Sequence, residues 1–236
     1  MSECDDAHWP RDDEEFVGSS YRLAVSDGAT ESSFSGLWAK LLVRAYGRGE
    51  MNDPVSEGEL RRSRTLWSAH VARKRLPWYA EEKVSRGAFA TLLGVEFNAG
   101  RDSGIDGEWS ALAVGDTCVV QVRDDEPLVC FPLTQAWEFA ARPHLLTTRA
   151  DGSDDLVSHI RRHIGAWRSG DAFYVMTDAL SAWFMAGIER GERPWQRFQD
   201  LETTEERMSF VDLVADLRDS HAMKNDDVTL VRVDFA

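Results

Sequence analysis

The sequence predicts an α+β fold in which antiparallel sheets pack against each other and helices lie on the outside. Strand-like runs follow one another between residues 88 and 133, joined by a loop at residues 98–107 and then by two tight turns, a pattern typical of antiparallel hairpins. Amphipathic helical stretches precede and follow this region, so the regular strand–helix alternation of a parallel doubly wound sheet is missing. The chain has 236 residues, with no internal repeat and no evident linker. We therefore expect one domain over residues 1–236, with residues 1–10 loose.

The N-terminal third of the chain predicts one strand and three helices. Residues 21–26 (YRLAVS) form the strand-like run. Apolar residues then recur at helical spacing from Ser32 to Tyr46, and we expect Ser32 or Ser33 to cap this helix. Further helical stretches cover residues 55–74 and 78–86.

The remaining elements are mostly strands, with helices towards the C-terminus. Residues 88–97 indicate a strand, and residues 108–133 indicate three strands joined by a Gly-Asp turn and an acidic hairpin turn. A strand within residues 171–180 ends in an acid, and a helix follows it. The other predictions are short helices at 134–142 and 154–163, an amphipathic helix at 203–220 and a closing strand at 226–235.

The charge and the cysteine content argue against several classes of protein. The formal net charge is −14, so the chain repels phosphate backbones and we expect no nucleic-acid partner. Its three cysteines include no Cys-x-x-Cys pair, which argues against a disulfide framework and a thiolate zinc site. The acidic N-terminus lacks the apolar core of a signal peptide, and no run of about 20 apolar residues is present. We therefore expect a cytoplasmic protein without a membrane partner.

Four strand-like runs each meet an aspartate at one end. A single acid at such a position is best interpreted as a solvated turn residue, but four at similar corners indicate a cluster at one rim of the sheets. A fifth acidic site, the pair Asp13-Glu14, precedes a short run around Phe16. The four aspartates are Asp27, Asp116, Asp178 and Asp226.

Carboxylates that converge on one rim repel one another, and divalent cations relieve that repulsion. A ligand set made of oxygen atoms alone favours Mg²⁺ or Mn²⁺ over zinc. Two such ions held close together can bind a hydroxide and neutralise a phosphoryl group. His159 and His163 offer a different site, since residues four apart share a helix face and can bind zinc. No third ligand accompanies them, and a polar helix surface is the simpler interpretation.

Five stretches of the chain resemble, in motif and mostly in position, the metal-dependent serine/threonine protein phosphatases of the protein phosphatase 2C type, and more closely their short bacterial branch. The stretches are DDEEF, AVSDGATESSFSGLW, AVGDTCVVQVRDDEP, GDAFYVMTDAL and NDDVTLVRV. The resemblance covers nearly the whole chain. It implies a four-layer α-β-β-α sandwich of two antiparallel sheets flanked by helices.

The resemblance also implies a ligand set for two Mn²⁺ or Mg²⁺ ions. Asp27 would bridge both ions, and the Gly28 carbonyl would bind one of them. Asp178 and Asp226 would complete the protein ligands of the first ion.

Further residues of the implied site lie elsewhere in the sequence. Asp13 would contact the second ion, mostly through water, with Glu14 beside it in the catalytic set. Asp116 together with Asp178 would offer a weaker third ion site. The arginine that holds the phosphate in the family is not in register here, and the substitutes to consider are Arg11 and Arg22.

The implied activity is hydrolysis of phosphoserine or phosphothreonine in a protein, by a metal-bridging hydroxide that attacks phosphorus in line. The expected partner is a phosphoprotein substrate, in opposition to a Ser/Thr kinase, and we expect a monomer. Trp195 and Arg193 lie where the family often carries a flap, and would contact the substrate there. The basic cluster at residues 72–76 is best interpreted as a solvated face.

Two alternatives stay open. The acidic pair Asp13-Glu14 reverses the order of the family's Glu-Asp pair, and the phosphate-binding arginine is displaced. Both departures favour a catalytically weak member that binds phosphoprotein as a sensor or scaffold. The other alternative keeps the metal site but acts on small phosphate esters. The four aspartates favour an enzyme, because a scaffold has no need to keep a costly cluster of carboxylates.

Overall fold

Two antiparallel sheets lie face to face, and helices cover the outer face of each. The computed structural model describes residues 5–10, 20–51, 57–100, 106–149, 156–198 and 204–235. In chain order the strands are β1 (Ala7–Trp9), β2 (Ser20–Ser26), β3 (Phe89–Ala90), β4 (Leu92–Ala99), β5 (Gly107–Val114), β6 (Cys118–Arg123), β7 (Glu126–Phe131), β8 (Leu146–Thr147), β9 (Arg161–Trp167), β10 (Ala172–Met176) and β11 (Leu230–Asp234). The helices are α1 (Ser35–Gly47), α2 (Glu57–Val71), α3 (Trp78–Ser85), α4 (Leu156–His159), α5 (Asp178–Glu189) and α6 (Thr204–Asp219).

The strands form two main sheets with antiparallel pairing throughout. One sheet has five strands in the order β1-β2-β4-β5-β9, and the other has four in the order β11-β10-β6-β7. A small third sheet pairs β3 with β8. This architecture confirms the predicted α+β fold of two antiparallel sheets flanked by helices.

Alternation along the strands divides the core into three layers. In β2, Leu23 and Val25 point into the space between the two sheets, whereas Ala24 faces the helices. In β10, Phe173 packs between the sheets, whereas Tyr174 faces α5. Because side chains alternate between the two faces of a strand, each apolar strand supplies two layers of the core at once.

The helices complete the outer layers. Helix α1 packs on the five-stranded sheet, and its fully buried Trp38 donates a hydrogen bond from Nε1 to the Leu146 carbonyl at 2.9 Å. Helix α5 packs on the four-stranded sheet through Leu180 and Phe184, and α6 adds Val214 to the same cluster. Among the helices of the described ranges, none has the length and apolar character that crossing a bilayer requires.

Three predictions at the secondary-structure level were wrong. The expected helix at 154–163 contains only the short α4, and strand β9 begins at Arg161 and pairs with β5. Because Arg161, Arg162 and His163 are polar, this edge strand begins without the apolar alternation that would predict it. His159 and His163 therefore lie in different elements, which removes the shared helix face of the zinc hypothesis.

The other two corrections concern the N-terminal part. Residues 7–9, expected to be loose, form β1 and pair with β2. The residue before α1 is Phe34, in a left-handed conformation with φ 59°, and it makes no side-chain capping bond. The Ser32 hydroxyl instead donates to the Ala29 carbonyl and accepts the Phe89 N–H, so it stabilises the loop and not the helix.

Candidate metal centre

The ends of three strands bring aspartates from distant parts of the sequence to one rim of the sheets. Asp27 directly follows β2, Asp116 lies in the turn between β5 and β6, and Asp178 opens α5 after β10. Burial raises the pKa of both Asp27 and Asp116, and the negative charge of Asp178 adds to both shifts. The three strand ends therefore place these aspartates at the same rim of the sheets.

A fourth carboxylate, Asp6, joins this group immediately before β1. Its Oδ2 accepts hydrogen bonds from the hydroxyls of Thr177 at 3.1 Å and Thr229 at 3.0 Å. Its Oδ1 is buried and accepts no N–H or hydroxyl donor within the described ranges. The side chain is only 7% exposed. The hydroxyls thus orient one oxygen of Asp6, and the Asp6 carboxylate also accepts a hydrogen bond from the protonated Asp27 carboxyl, which lowers the pKa of Asp6 and raises that of Asp27.

The carboxyls are strongly perturbed by their surroundings. Burial raises the pKa of Asp27 to about 9, assisted by the negative charges of Asp6 and Asp178. Burial likewise raises the pKa of Asp6 and of Asp116 to about 6. The pKa of Asp178 is raised by burial and by the charge of Asp226. Without a cation, the site holds more negative charge than its surroundings stabilise.

The segment before β11 supplies the outer edge of the site. Asp226 is exposed, and its charge acts on Asp116 and Asp178. Its Oδ1 accepts the N–H of Asp227 at 2.9 Å, and its backbone carbonyl accepts a hydrogen bond from Arg218. The expected strand over 226–235 begins only at Leu230, so Asp226 lies in a loop that precedes the strand.

Buried Thr91 connects the loops that carry Asp27 and Asp116. Its N–H donates to the Asp27 carbonyl at 2.8 Å, and its Oγ1 accepts the Asp27 N–H at 2.9 Å. The same Oγ1 lies 2.7 Å from the hydroxyl of Thr117, which follows Asp116. This residue also interrupts the predicted strand 88–97 and divides it into β3 and β4. The break in the strand therefore holds two of the acidic loops in place.

Gly28 is required by close packing of three backbone segments. A Cβ atom there would lie 2.7 Å from the carbonyl oxygen of Asp5 and 2.8 Å from the carbonyl carbon of Ser35. Gly28 also bridges to Ala90. The absence of a side chain lets the segment that carries Asp6 approach the start of α1.

The ammonium group of Lys224 lies beside the acidic residues. The Nζ atom of Lys224 is 3.8 Å from Oδ2 of Asp178, and the Lys224 side chain is 62% exposed. The pair is therefore loose and accessible from solvent, so this ammonium group is free to turn towards an anionic ligand.

Comparison with known proteins identifies the family. The family model described as Protein phosphatase 2C matches residues 2–226, which is nearly the whole chain. The chain belongs to the protein phosphatase 2C family. This confirms the resemblance inferred from the motifs, and membership supports phosphatase activity. No curated protein shows significant similarity to the chain.

Solved structures of protein phosphatase 2C-type enzymes share the fold. The serine/threonine phosphatase PstP/Ppp of Mycobacterium tuberculosis is 16% identical, with a TM-score of 0.61, over 100% of this chain and 93% of that one. The S. agalactiae serine/threonine phosphatase is 15% identical, with a TM-score of 0.60, over 100% and 95%. The catalytic domain of PstP in complex with two manganese ions is 15% identical, with a TM-score of 0.57, over 99% and 92%.

Some predicted site residues of this protein phosphatase 2C chain lie away from the rim. Arg22, a candidate phosphate ligand, lies five residues before Asp27 in β2, about 17 Å along the strand. It pairs with Glu96 at 2.8 Å and lies over the ring of Tyr46. The structure therefore places the Arg22 charge on the helix-covered face, away from the rim.

The predicted flap contacts are also remote from the rim. Trp195 donates a hydrogen bond to Asp125 at 2.6 Å, and Arg193 pairs with Asp125 and Glu126. Asp125 lies in the turn after β6 and Glu126 begins β7, so the structure places Trp195 and Arg193 at the opposite end of β6 from Asp116. The predicted site residues Arg11, Asp13 and Glu14 lie outside the described residues.

The donor set suits the divalent ions that the protein phosphatase 2C family implies. Among the described residues, Asp6 contributes a buried carboxylate oxygen that accepts no N–H or hydroxyl donor, and a cation would offset the burial and the repulsion that raise the pKa of Asp27. Carboxylate oxygens alone favour Mg²⁺ or Mn²⁺. In the described part of the chain, no three His, Cys, Asp or Glu side chains already stand at metal-ligating distances. The chemistry of the donor atoms fits these ions.

Proposed function

We propose that the protein is a Mn²⁺- or Mg²⁺-dependent phosphatase that hydrolyses phosphoserine and phosphothreonine in proteins. The single observation that carries the proposal is the convergence of Asp6, Asp27, Asp116 and Asp178 on one rim of a protein phosphatase 2C fold. A manganese complex of the PstP catalytic domain, which has the same fold, supports divalent ions as the cofactors.

The proposal includes two principal ions and a weaker third. Asp27 would contact both principal ions, with the Gly28 carbonyl and the carboxylates of Asp178 and Asp226 around them. Asp116 and Asp178 would hold the third. Mn²⁺ or Mg²⁺ bound there would supply Lewis acidity towards the phosphoryl oxygens and the attacking water.

Asp6 extends the proposed ligand set beyond the residues that the motifs supply. Its Oδ2 is occupied by two threonine hydroxyls, so its orientation is fixed before any ligand arrives. When Asp27 is ionised, the buried Oδ1 of Asp6 would be available to an ion, or to a water bound to one. Such an oriented carboxylate costs little reorganisation when the ion binds.

The chain's own residues hold the carboxylates in place and bind the phosphate. Thr91 anchors the backbone at Asp27, and Thr117 anchors the turn at Asp116, which keeps both carboxylates in place. Once the charge of Asp178 is balanced by an ion, the Lys224 ammonium can donate to a phosphoryl oxygen. Lys224 would thus take the part expected of an arginine.

The experiment that tests this function is hydrolysis of a phosphothreonine peptide and of p-nitrophenyl phosphate in EDTA, Mg²⁺ and Mn²⁺. We expect turnover of the peptide with Mn²⁺, and loss of that turnover in EDTA and in the variant Asp27→Asn. Turnover of the small ester alone would support the small-ester alternative. A folded protein that binds the phosphopeptide without turnover under any metal would support the sensor or scaffold alternative.

A further inference from the structure

The loop between α6 and β11 carries two residues of the candidate metal centre, Lys224 and Asp226, and both are exposed. Each end of this loop is anchored. The Met223 side chain is only 7% exposed and packs in the apolar cluster under α5, and the Thr229 N–H donates to Oγ1 of Thr177 at 3.0 Å. Strand β11 begins only after these residues, so the middle of the loop depends on side-chain contacts for its position.

Arg218, in the last turn of α6, supplies such a contact. Its guanidinium donates a hydrogen bond from Nη2 to the backbone carbonyl of Asp226. Its Nε is buried and has no hydrogen-bond partner among the described residues. The guanidinium is therefore enclosed between the helix and the loop, where it restrains the main chain at Asp226.

The arginine binds the main chain of Asp226 and not its carboxylate. A guanidinium beside a carboxylate usually forms two parallel hydrogen bonds to it. Within the described residues, the Asp226 carboxylate instead accepts the Asp227 N–H at Oδ1 and forms no ion pair. Its charge still acts on Asp178 at the rim. Arg218 can therefore hold Asp226 in place without competing for the oxygen atoms that would bind an ion.

A second contact restrains the same loop from the opposite side. Oδ2 of Asp227 accepts the N–H of Asp5 at 2.8 Å, which ties the loop to the segment that carries Asp6. Arg218 ties the loop to α6 at the preceding residue. Because Asp226 lies between these two attachments, removal of the arginine contact would release one side of its main chain.

We propose that Arg218 is a positioning residue for Asp226, one of the proposed metal ligands. It fixes the main chain of the loop so that the carboxylate meets an ion at the rim with little reorganisation. The inference rests on the proposed function, because it concerns a ligand of the same site. Groups that orient a metal ligand typically change metal affinity by about 10–100-fold when they are removed.

The test measures Mn²⁺ affinity of the whole chain by electron paramagnetic resonance of free Mn²⁺, a readout that does not require turnover. Arg218→Met removes the donors and keeps an unbranched side chain, and Arg218→Lys restores one donor. Arg44→Met, at an exposed position of α1, is the control. Wild type and Arg218→Met are also compared in the Asp226→Asn background. Arg218→Gln, which is polar but too short to reach the carbonyl, takes the place of Arg218→Met if circular dichroism shows that the methionine variant is unfolded.

We expect Arg218→Met to weaken Mn²⁺ binding about tenfold, Arg218→Lys to recover part of that loss, and Arg44→Met to bind as the wild type does. In the Asp226→Asn background the same arginine substitution should change the affinity less than about threefold, because both changes act on one ligand. A general structural role would weaken binding by the same factor in both backgrounds. That result, or unchanged affinity in Arg218→Met, would overturn the proposal.

Kinetics with a phosphothreonine peptide separate positioning from phosphate binding. At saturating Mn²⁺ we expect Arg218→Met to recover the kcat of the wild type within about threefold, with an unchanged KM. A raised KM at saturating Mn²⁺ would show that Arg218 binds the phosphate, and would overturn its role in positioning Asp226.

The two proposals fail in different ways. A protein that shows the expected pattern of Mn²⁺ affinities, yet does not hydrolyse the peptide, would retain the role of Arg218 and lose the enzyme. A protein that hydrolyses the peptide, while Arg218→Met binds Mn²⁺ as the wild type does, would retain the enzyme and lose the role of Arg218. A folded wild type that binds no Mn²⁺ would overturn both.

Discussion

Asp6 and Thr229 are 223 residues apart in sequence, yet the Thr229 hydroxyl donates a hydrogen bond to Oδ2 of Asp6 at 3.0 Å. The contact joins the start of the five-stranded sheet to the loop before β11 in the four-stranded sheet. It fixes the carboxylate where the two sheets meet at the acidic rim. The metal centre therefore depends on how the sheets pack, as well as on the strand that carries each acid.

The first prediction concerns Asp6 itself. We expect Asp6→Asn to lower Mn²⁺-dependent turnover by about 10–100-fold, the usual cost of losing a carboxylate that binds or orients a metal ligand. The fold should persist, because asparagine keeps an acceptor for Thr177 and Thr229 and removes a buried charge. Steady-state kinetics with a Mn²⁺ titration and far-UV circular dichroism measure the two effects.

The control for this variant is Asp124→Asn, in the hairpin turn at the far end of β6. Its turnover should match the wild type. Thr229→Val should reproduce part of the loss by releasing Asp6, and Thr229→Ser should restore it. Wild-type turnover in Asp6→Asn would exclude Asp6 from the site.

The second prediction is a pH dependence of stability in the metal-free protein. The pKa of Asp27 is raised to about 9, and that of Asp6 and Asp116 to about 6, whereas an aspartate in the unfolded chain titrates near about 4. The folded state therefore binds these protons more tightly than the unfolded state. The resulting stability is fully present below about pH 4 and is lost as the pH rises through 6 and on to 9.

The measurement is the Tm of EDTA-treated protein between pH 6 and pH 9, for the wild type and for Asp27→Asn. We expect the wild-type Tm to fall with rising pH more steeply than that of the variant, because only the wild type must ionise Asp27. Saturating Mn²⁺ should flatten the wild-type curve, since the ion stabilises the ionised carboxylate. If the Tm of the wild type and of Asp27→Asn fell equally with pH in EDTA, the pKa of Asp27 would not be raised.

The sequence indicated three of the aspartates at this rim but not Asp6, and the reason is physical. Asp27, Asp116 and Asp178 were predictable because each follows a run long enough to be recognised as a strand, and antiparallel strands carry their ends to common rims. Asp6 was missed because β1 has only three residues, too few for any periodicity to register. The one available signal was an acidic pair placed directly before Ala7.

The sequence could not assign the phosphate-binding cation either. Arg22 was named as a substitute for the family's phosphate-binding arginine, but it lies five residues before Asp27, which in a strand correspond to about 17 Å. Lys224 lies beside Asp178 because the loop before β11 brings it there, and the sequence alone does not indicate this position. Loop conformations of this kind depend on long-range contacts, such as that of Arg218 with the Asp226 carbonyl.

The third prediction tests Lys224 as that cation. We expect Lys224→Met to raise the KM for a phosphopeptide about tenfold or more, because hydrogen bonds to charged groups contribute about 1.5–3 kcal/mol. The kcat value should change much less, because the carboxylates of the site remain intact. Lys83→Met, on the exposed face of α3, is the matched control. Equal KM values in the two variants would show that Lys224 does not hold the phosphate.

The fourth prediction concerns Gly28, whose missing side chain lets three backbone segments meet. A Cβ at this position would lie 2.7 Å from the Asp5 carbonyl oxygen, so Gly28→Ala must displace the segment that carries Asp6. We expect a loss of about 1–3 kcal/mol in the free energy of unfolding, typical of overpacking. In a chain of this size that corresponds to a Tm lower by roughly 2–12 °C.

The same variant should lose turnover in excess of its loss of stability, because the displaced Asp6 no longer faces Asp27. Gly187→Ala is the control, since its Cβ would meet only ordinary contacts at 3.4 Å and replaces a glycine inside α5. We expect that control to be neutral or stabilised by up to about 1 kcal/mol. Thermal melts measure the stability of both variants, and Mn²⁺-dependent kinetics measure their turnover. A Gly28→Ala protein as stable and active as Gly187→Ala would show that the three segments tolerate a side chain between them.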